Sequence, residues 1–128
     1  MSDAMQERAG VHVLMCDPAG PRVATVQDAL DLIGAVFLGA EVVAVPASRL
    51  DERFFSLGTG FAGEVMQKFV NYRLRLAVVG DISRHLAASS ALRALVHESN
   101  LAGHVWFVPD LDALDARLLD HVKAAGGA

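Results

Sequence analysis

Residues 54–81 read FFSLGTGFAGEVMQKFVNYRLRLAVVGD. The stretch has three parts. A glycine-bearing loop leads to Thr59 or Gly60, either of which can open a helix. Phe61, Ala62, Val65, Met66, Phe69 and Val70 then recur at helical spacing, while Glu64, Gln67, Lys68 and Asn71 fall elsewhere on the wheel. Residues 74–80, LRLAVVG, are short, continuous and apolar, as expected of a strand buried on both faces. A helix feeding a doubly buried strand is the second half of a βαβ unit, so the neighbouring strands should be parallel.

The flanks repeat the pattern. Residues 11–16, VHVLMC, predict a strand, and DPAGPR after them supplies turn chemistry. Residues 22–24 are expected to form a short second strand pairing back on the first. Thr25 is placed to cap a helix at Asp28, with Ala29, Leu30, Ile33, Val36 and Phe37 on one face and Gly39 ending it. Residues 42–45 predict a buried strand closed by Pro46. Beyond the central stretch, 83–88 reads as a loop or short turn. Ser89 or Ser90 caps a third helix with Leu92, Leu95 and Val96 inward, stopped by Asn100 and Gly103. Residues 105–108, VWFV, predict the last strand. Asp110 caps a final helix whose stripe is Leu111, Leu114, Leu118 and Val122.

A chain of 128 residues with 53% hydrophobic content fits one domain with a substantial core. The expected organisation is a flexible lead over 1–10, a single α/β domain over 11–122 and a flexible tail over 123–128. The sheet should be mainly parallel, with four to five strands and about four helices. The order of elements is similar to that of the sigma-factor antagonist (STAS) domain, a likeness of topology that transfers no residue. A net charge of -4 argues against nucleic acid as a partner. No apolar run is long enough for a membrane span, and the first residues lack a signal-peptide core, so a cytoplasmic protein is expected. Cys16 is the only cysteine and can form no internal disulfide.

The central stretch also resembles a bacterial family catalogued as domain of unknown function 4180. Phe54, Phe55, Leu57, Thr59, Gly60, Ala62, Gly63, Glu64, Gln67, Lys68, Asn71 and Tyr72 carry the likeness. Gly80 and Asp81 continue it, and Glu98, Ser99 and Asn100 form a second patch. It extends from about Thr25 to Val108. The resemblance implies a small cytoplasmic fold and no particular reaction.

Parallel α/β sheets place ligands beyond the carboxyl ends of their strands. The candidate residues on that edge are Phe54, Phe55, Ser56, Thr59, Gly60, Gly63, Glu64, Lys68, Asp81, Arg84 and His85. Each has a plain structural reading beside the functional one. The phenylalanines fit a core cluster. The glycines fit tight packing, and no Gly-Lys-Ser/Thr follows them to make a P-loop. Glu64 and Lys68, four apart, suit a solvated helix pair. Asp81 suits an Asx-turn. Asn71 and Asn100 are expected to cap helices, with Tyr72, Glu98 and Ser99 in a structural hydrogen-bond group. His12, His85, His97, His104 and His121 show no ligand spacing, so neither a metal nor a cofactor is expected. No complete catalytic constellation is present. The leading expectation is a non-catalytic regulatory or interaction module that binds a protein partner or itself as a homodimer. Its contact surface is expected at 49–58 and the start of the central helix, with Ser56 or Thr59 as a phosphoswitch by analogy with antagonist domains. The alternative is a small-molecule binder or enzyme working at 59–63 and Asp81, with Arg84 or His85 as polar contacts.

Overall fold

The computed structural model describes residues 3–126. It begins with a hairpin. β1 (Ala4–Arg8) and β2 (Val11–Met15) pair antiparallel, with Arg8 opposite Val11. Ala9 and Gly10 between them both take positive φ, 53° and 79°, the geometry that a tight two-residue hairpin turn requires. The segment expected as a lead is therefore a strand from Ala4 onward; Met1 and Ser2 lie outside the described residues. AMQER gave no apolar alternation because an edge strand need bury little. The second strand expected at 22–24 does not form. β2 already has β1 on one side, so that segment finds no free edge, and only Val23 bridges, in parallel, to Leu50.

α1 (Val26–Ile33) starts in a capping box: the Thr25 hydroxyl accepts from the Asp28 N–H at 3.1 Å, and the Asp28 carboxylate accepts from the Thr25 N–H at 3.1 Å. At Gly34 the helix tightens to a 3-10 turn that ends on Gly39 at φ 94°. Tightening from 100° to 120° per residue rotates Phe37 about 80° off the expected apolar face. Phe37 is 82% exposed.

β3 (Val42–Pro46), α2 (Phe61–Asn71), β4 (Arg75–Val79), α3 (Ser83–Ala88), α4 (Ser90–Ala102), β5 (Val105–Val108) and α5 (Leu111–Gly126) complete the chain. Residues 83–88 are thus a short helix rather than a loop. α5 extends through the segment expected as a tail as far as Gly126. Among the described residues the five strands form one sheet in the order β1-β2-β3-β4-β5, parallel from β2 onward. Small α/β domain with a mostly parallel sheet is the expected class.

The two faces of the sheet are covered unequally. Val43, Val45, Leu76, Val78 and Phe107 point to the face where α1, α2 and α4 pack, contributing Ile33, Val65, Phe69 and Leu92. The alternate residues Val42, Ala44, Ala77 and Trp106 point to the other face, where Leu114 and Leu118 of α5 lie. Ala44 and Ala77 are small enough to let α5 approach closely. Leu111 and Val122, expected on that stripe, are 44% and 37% exposed. Arg8 of β1 makes a two-pronged contact with Asp115 of α5, at 2.7 and 2.9 Å, and ties the last helix back to the first strand. Leu76 and Val78 are each 1% exposed, as a central strand requires.

Candidate functional site

The carboxyl edge of the sheet holds a cleft of about 270 Å³ between the turn after β3 and the turn after β4. Arg22, Ser48, Glu52, Phe55, Asp81, Arg84 and His85 line it. Its geometry follows from Gly80. At φ 146°, Gly80 has a backbone that side-chain-bearing residues rarely adopt, and a Cβ there would stand 3.0 Å from the Ala47 Cβ. That close approach brings the turn after β3 against the turn after β4.

Four of the predicted residues meet in this cleft. The Asp81 carboxylate accepts from the Ser83 backbone N–H at 2.9 Å, closing an Asx-turn into α3. Hydrogen bonds from the Ser83 side chain and backbone hold the Asp81 carboxyl below the usual carboxylate range. The ring of His85 stacks on Phe55 at 4.2 Å with only 10° between the planes. Arg84 reaches Glu52 at 3.5 Å in full solvent, a contact of little energetic weight.

The other candidates lie elsewhere. Phe54 is fully buried and packs edge-on against Phe55 and Phe61, with ring centroids at 5.3 and 6.4 Å. Thr59 spends its hydroxyl locally: its one O–H is shared between the carbonyls of Arg53 (2.9 Å) and Ser56 (2.8 Å), and its oxygen accepts from the Phe61 N–H. Ser56 is exposed and enters that turn through its carbonyl. Gly60 caps α2 at φ 77°. Gly63 and Glu64 are exposed on α2, and Lys68 is half-buried one turn on; none of these lines the cleft.

Two features escaped the sequence. The first is Arg49, whose side chain is 4% exposed. It donates to the Asp3 carboxylate at 2.7 Å and to the carbonyls of Pro21 (2.8 Å) and Asp17 (3.2 Å). Gly20 leaves room for this guanidinium, since a Cβ there would meet it at 2.8 Å. The adjoining thiol of Cys16 is pushed up to about 12, first by burial and then by Asp3, so it stays protonated and inert.

The second is the amino edge of the sheet. The segments that lead into β3, β4 and β5 all end there, and each ends on exposed apolar side chains. Phe37 (82%) and Leu38 (78%) precede β3, Val70 (39%) and Tyr72 (47%) precede β4, and Leu101 (75%) precedes β5. A groove of about 310 Å³ lies between α2 and α4, walled by Met66, Val70, Leu95 and Ala102 and floored by Val105. Leu101 had a legible signal: it lies nine residues beyond Leu92, half a turn out of phase with the buried face of α4.

Of the structural hydrogen-bond group expected from Tyr72, Glu98, Ser99 and Asn100, the side-chain hydrogen bonds belong to Asn100, and Tyr72 is 47% exposed. Asn100 is not a helix cap, because Gly103 at φ 84° ends α4. Its side chain instead accepts from the Phe107 N–H at 2.8 Å and donates to the Phe107 carbonyl at 3.3 Å, taking the place of a neighbouring strand at the outer edge of β5. Asn71 accepts from Gln67 at 2.8 Å, and the left-handed position after α2 falls on Arg73 at φ 57°. Among the described residues, no three His, Cys, Asp or Glu side chains are grouped to hold a metal ion. No helix among them is long and apolar enough to cross a membrane.

The fold and these sites define a small α/β domain with a shallow polar cleft at one sheet edge and an apolar rim at the other. Residues 8–118 match the family model described as Domain of unknown function (DUF4180). The chain belongs to that family. No curated protein matches it, and no solved structure does.

Proposed function

We propose that the protein is a non-catalytic regulatory or protein-interaction module, and that its contact surface is the amino edge of the sheet. The observation that carries this reading is the row formed by Phe37, Leu38, Val70, Tyr72 and Leu101 across three successive helix ends. Single exposed apolar residues are ordinary, but exposed apolar residues at three successive helix ends on one edge of the sheet favour a binding surface. The element order, an antiparallel strand pair followed by parallel crossovers, supports a likeness to sigma-factor antagonist domains, which is an argument from fold alone. A cytoplasmic setting in a bacterium accords with that likeness.

The cleft beside Asp81 supports the small-molecule reading less well. Its volume of about 270 Å³ falls below the roughly 300–1,000 Å³ of ordinary ligand pockets. The strand order runs one way from β2 to β5. It therefore has no reversal within the parallel strands, the place where α/β sheets open a crevice. The Asp81 carboxylate is already committed to Ser83.

The test is quantitative affinity capture with the tagged full chain, comparing wild type with the double variant Phe37→Asp, Leu101→Asp. A specific partner should be retained by wild type and lost by the variant, while thermal melts show the fold intact. Identical capture by both proteins would refute the assignment of this edge.

A further inference from the structure

We infer that the groove between α2 and α4 takes an acidic, apolar peptide segment of a partner protein, with apolar side chains in the groove and an Asp or Glu carboxylate at its end. This deepens the interaction reading above and rests on it. The groove is hollow because its walls carry small residues. Gly63 on α2, and Ser99 and Ala102 on α4, lack the bulk to close it, while Met66, Val70 and Leu95 make its lining apolar. Along α2 it runs from Gly63 to Val70, about 10 Å of helix.

At the amino edge the groove opens into a smaller recess of about 170 Å³. Val70 and His104 line both, and Arg73, Leu74 and Arg75 complete the smaller one. Arg75 is held in place by its Nε, which donates to the Gly103 carbonyl at 2.9 Å. The side chains of Arg73 and His104 are exposed and make no hydrogen bond or ion pair among the described residues. Three nitrogen-bearing side chains therefore meet where an apolar groove ends. Guanidinium groups suit a carboxylate, which is the anion a peptide carries beside its apolar residues.

The neighbouring acids give the surface a direction. Glu41 is turned toward β2: it accepts from the His12 N–H at 3.2 Å and lies 3.5 Å from His12 Nδ1. It lines neither recess. Glu98 is exposed one turn from both Leu95 and Ala102, on the same face of α4. It would repel a carboxylate midway along the groove. The acid must therefore sit at the His104 end, with the apolar residues lying toward Gly63. The net charge of -4 opposes an acidic partner at long range, so the attraction is local and salt-sensitive.

The experiment selects peptides on the immobilised full chain from a displayed library of random sequences. A length of about twelve residues is ample to span the groove. Fluorescence anisotropy then measures the best binder. The enriched sequences should join neighbouring apolar residues to an Asp or Glu. Arg73→Glu should weaken the selected peptide about tenfold or more. The same peptide with Lys in place of that acid should bind Arg73→Glu better than it binds wild type. Ala102→Phe, which fills the groove, should abolish binding. Both positions are exposed, so melts should match wild type. Raising salt from about 50 to 500 mM should weaken binding several-fold. The proposal is overturned if no peptide is enriched, if enrichment ignores carboxylates, or if the selected peptide is indifferent to Arg73→Glu or to Ala102→Phe. In each of those cases, a captured partner that is still lost on Phe37→Asp, Leu101→Asp leaves the interaction reading standing. A peptide that binds as expected, beside a double variant that captures normally, supports this groove and removes the row at the helix ends.

Discussion

Gly80 shows how one residue can position a site without entering its chemistry. Its φ of 146° and the 3.0 Å gap from a hypothetical Cβ to Ala47 are two separate demands for glycine. Gly80→Ala should cost about 1–3 kcal/mol for the backbone alone, with more from the clash, and should lower the denaturant midpoint accordingly. An Ala variant as stable as wild type would mean that the two turns do not approach as described. The sequence placed Gly80 and Asp81 at the end of a strand, and both are there. What it left open was the role of Asp81, since an Asx-turn and a catalytic carboxylate look alike until the Ser83 N–H is seen 2.9 Å away.

At the scale of the element, the two edges of the sheet are closed by different means. The outer strand β1 is short and polar and carries Glu7 and Arg8, charges that discourage pairing with another chain. β5 is wholly apolar and could not be left bare. Asn100, from the helix before it, fills its edge with two hydrogen bonds, and Arg117 of α5 donates to the Asn100 carbonyl. Asn100→Leu keeps the branched side-chain shape but leaves a part-buried N–H and carbonyl of Phe107 unmet. The expected loss is about 2 kcal/mol, readable in chemical denaturation. Hydrogen exchange at the Phe107 amide should rise with it. Unchanged protection at Phe107 would show that the side chain is not what closes this edge.

For the whole molecule, the charged groups set a pH range. His121 lies edge-on to Trp106 at 5.7 Å. Burial, and then the charge of Arg75, lower its pKa from the ordinary 6.5. Between that lowered value and 6.5 the unfolded chain binds more protons than the folded one, so stability rises with pH there. The contribution is complete above about pH 6.5 and is lost as pH falls through the folded value. The carboxyls of Asp28, bonded first by the Ala24 N–H, and Asp115, bonded first by Arg8, are held below their ordinary 3.8. Their contribution is present above that value and lost as pH falls beneath it. Thermal melts should therefore be flat from about pH 6.5 up to the ordinary thiol value of 9.0, above which the raised pKa of buried Cys16 lowers stability, and should decline in two stages on acidification. His121→Gln should abolish the upper decline and spare the lower one. A wild-type melt unchanged down to pH 5 would contradict the first stage.

Sequence alone determined the elements whose signals are local. The 3.6-residue and continuous apolar patterns gave α2, β3, β4 and β5 their places, and capping chemistry at Thr25, Ser89 and Asp110 fixed where α1, α4 and α5 begin. Family membership was legible too, in the spacing from Phe54 to Asp81. Tertiary structure decided whatever depends on a distant partner. β1 is a strand because β2 lies beside it, and residues 22–24 are not because β2 is already flanked. Phe37 left the core because a turn tightened at Gly34. Arg49 is buried because Asp3, Pro21 and Asp17, each at least 28 residues away along the chain, supply its acceptors. The apolar rim belongs to this second group. Its three groups lie 29 or more positions apart in the chain and reach one edge only because every crossover helix returns to the same edge of a parallel sheet.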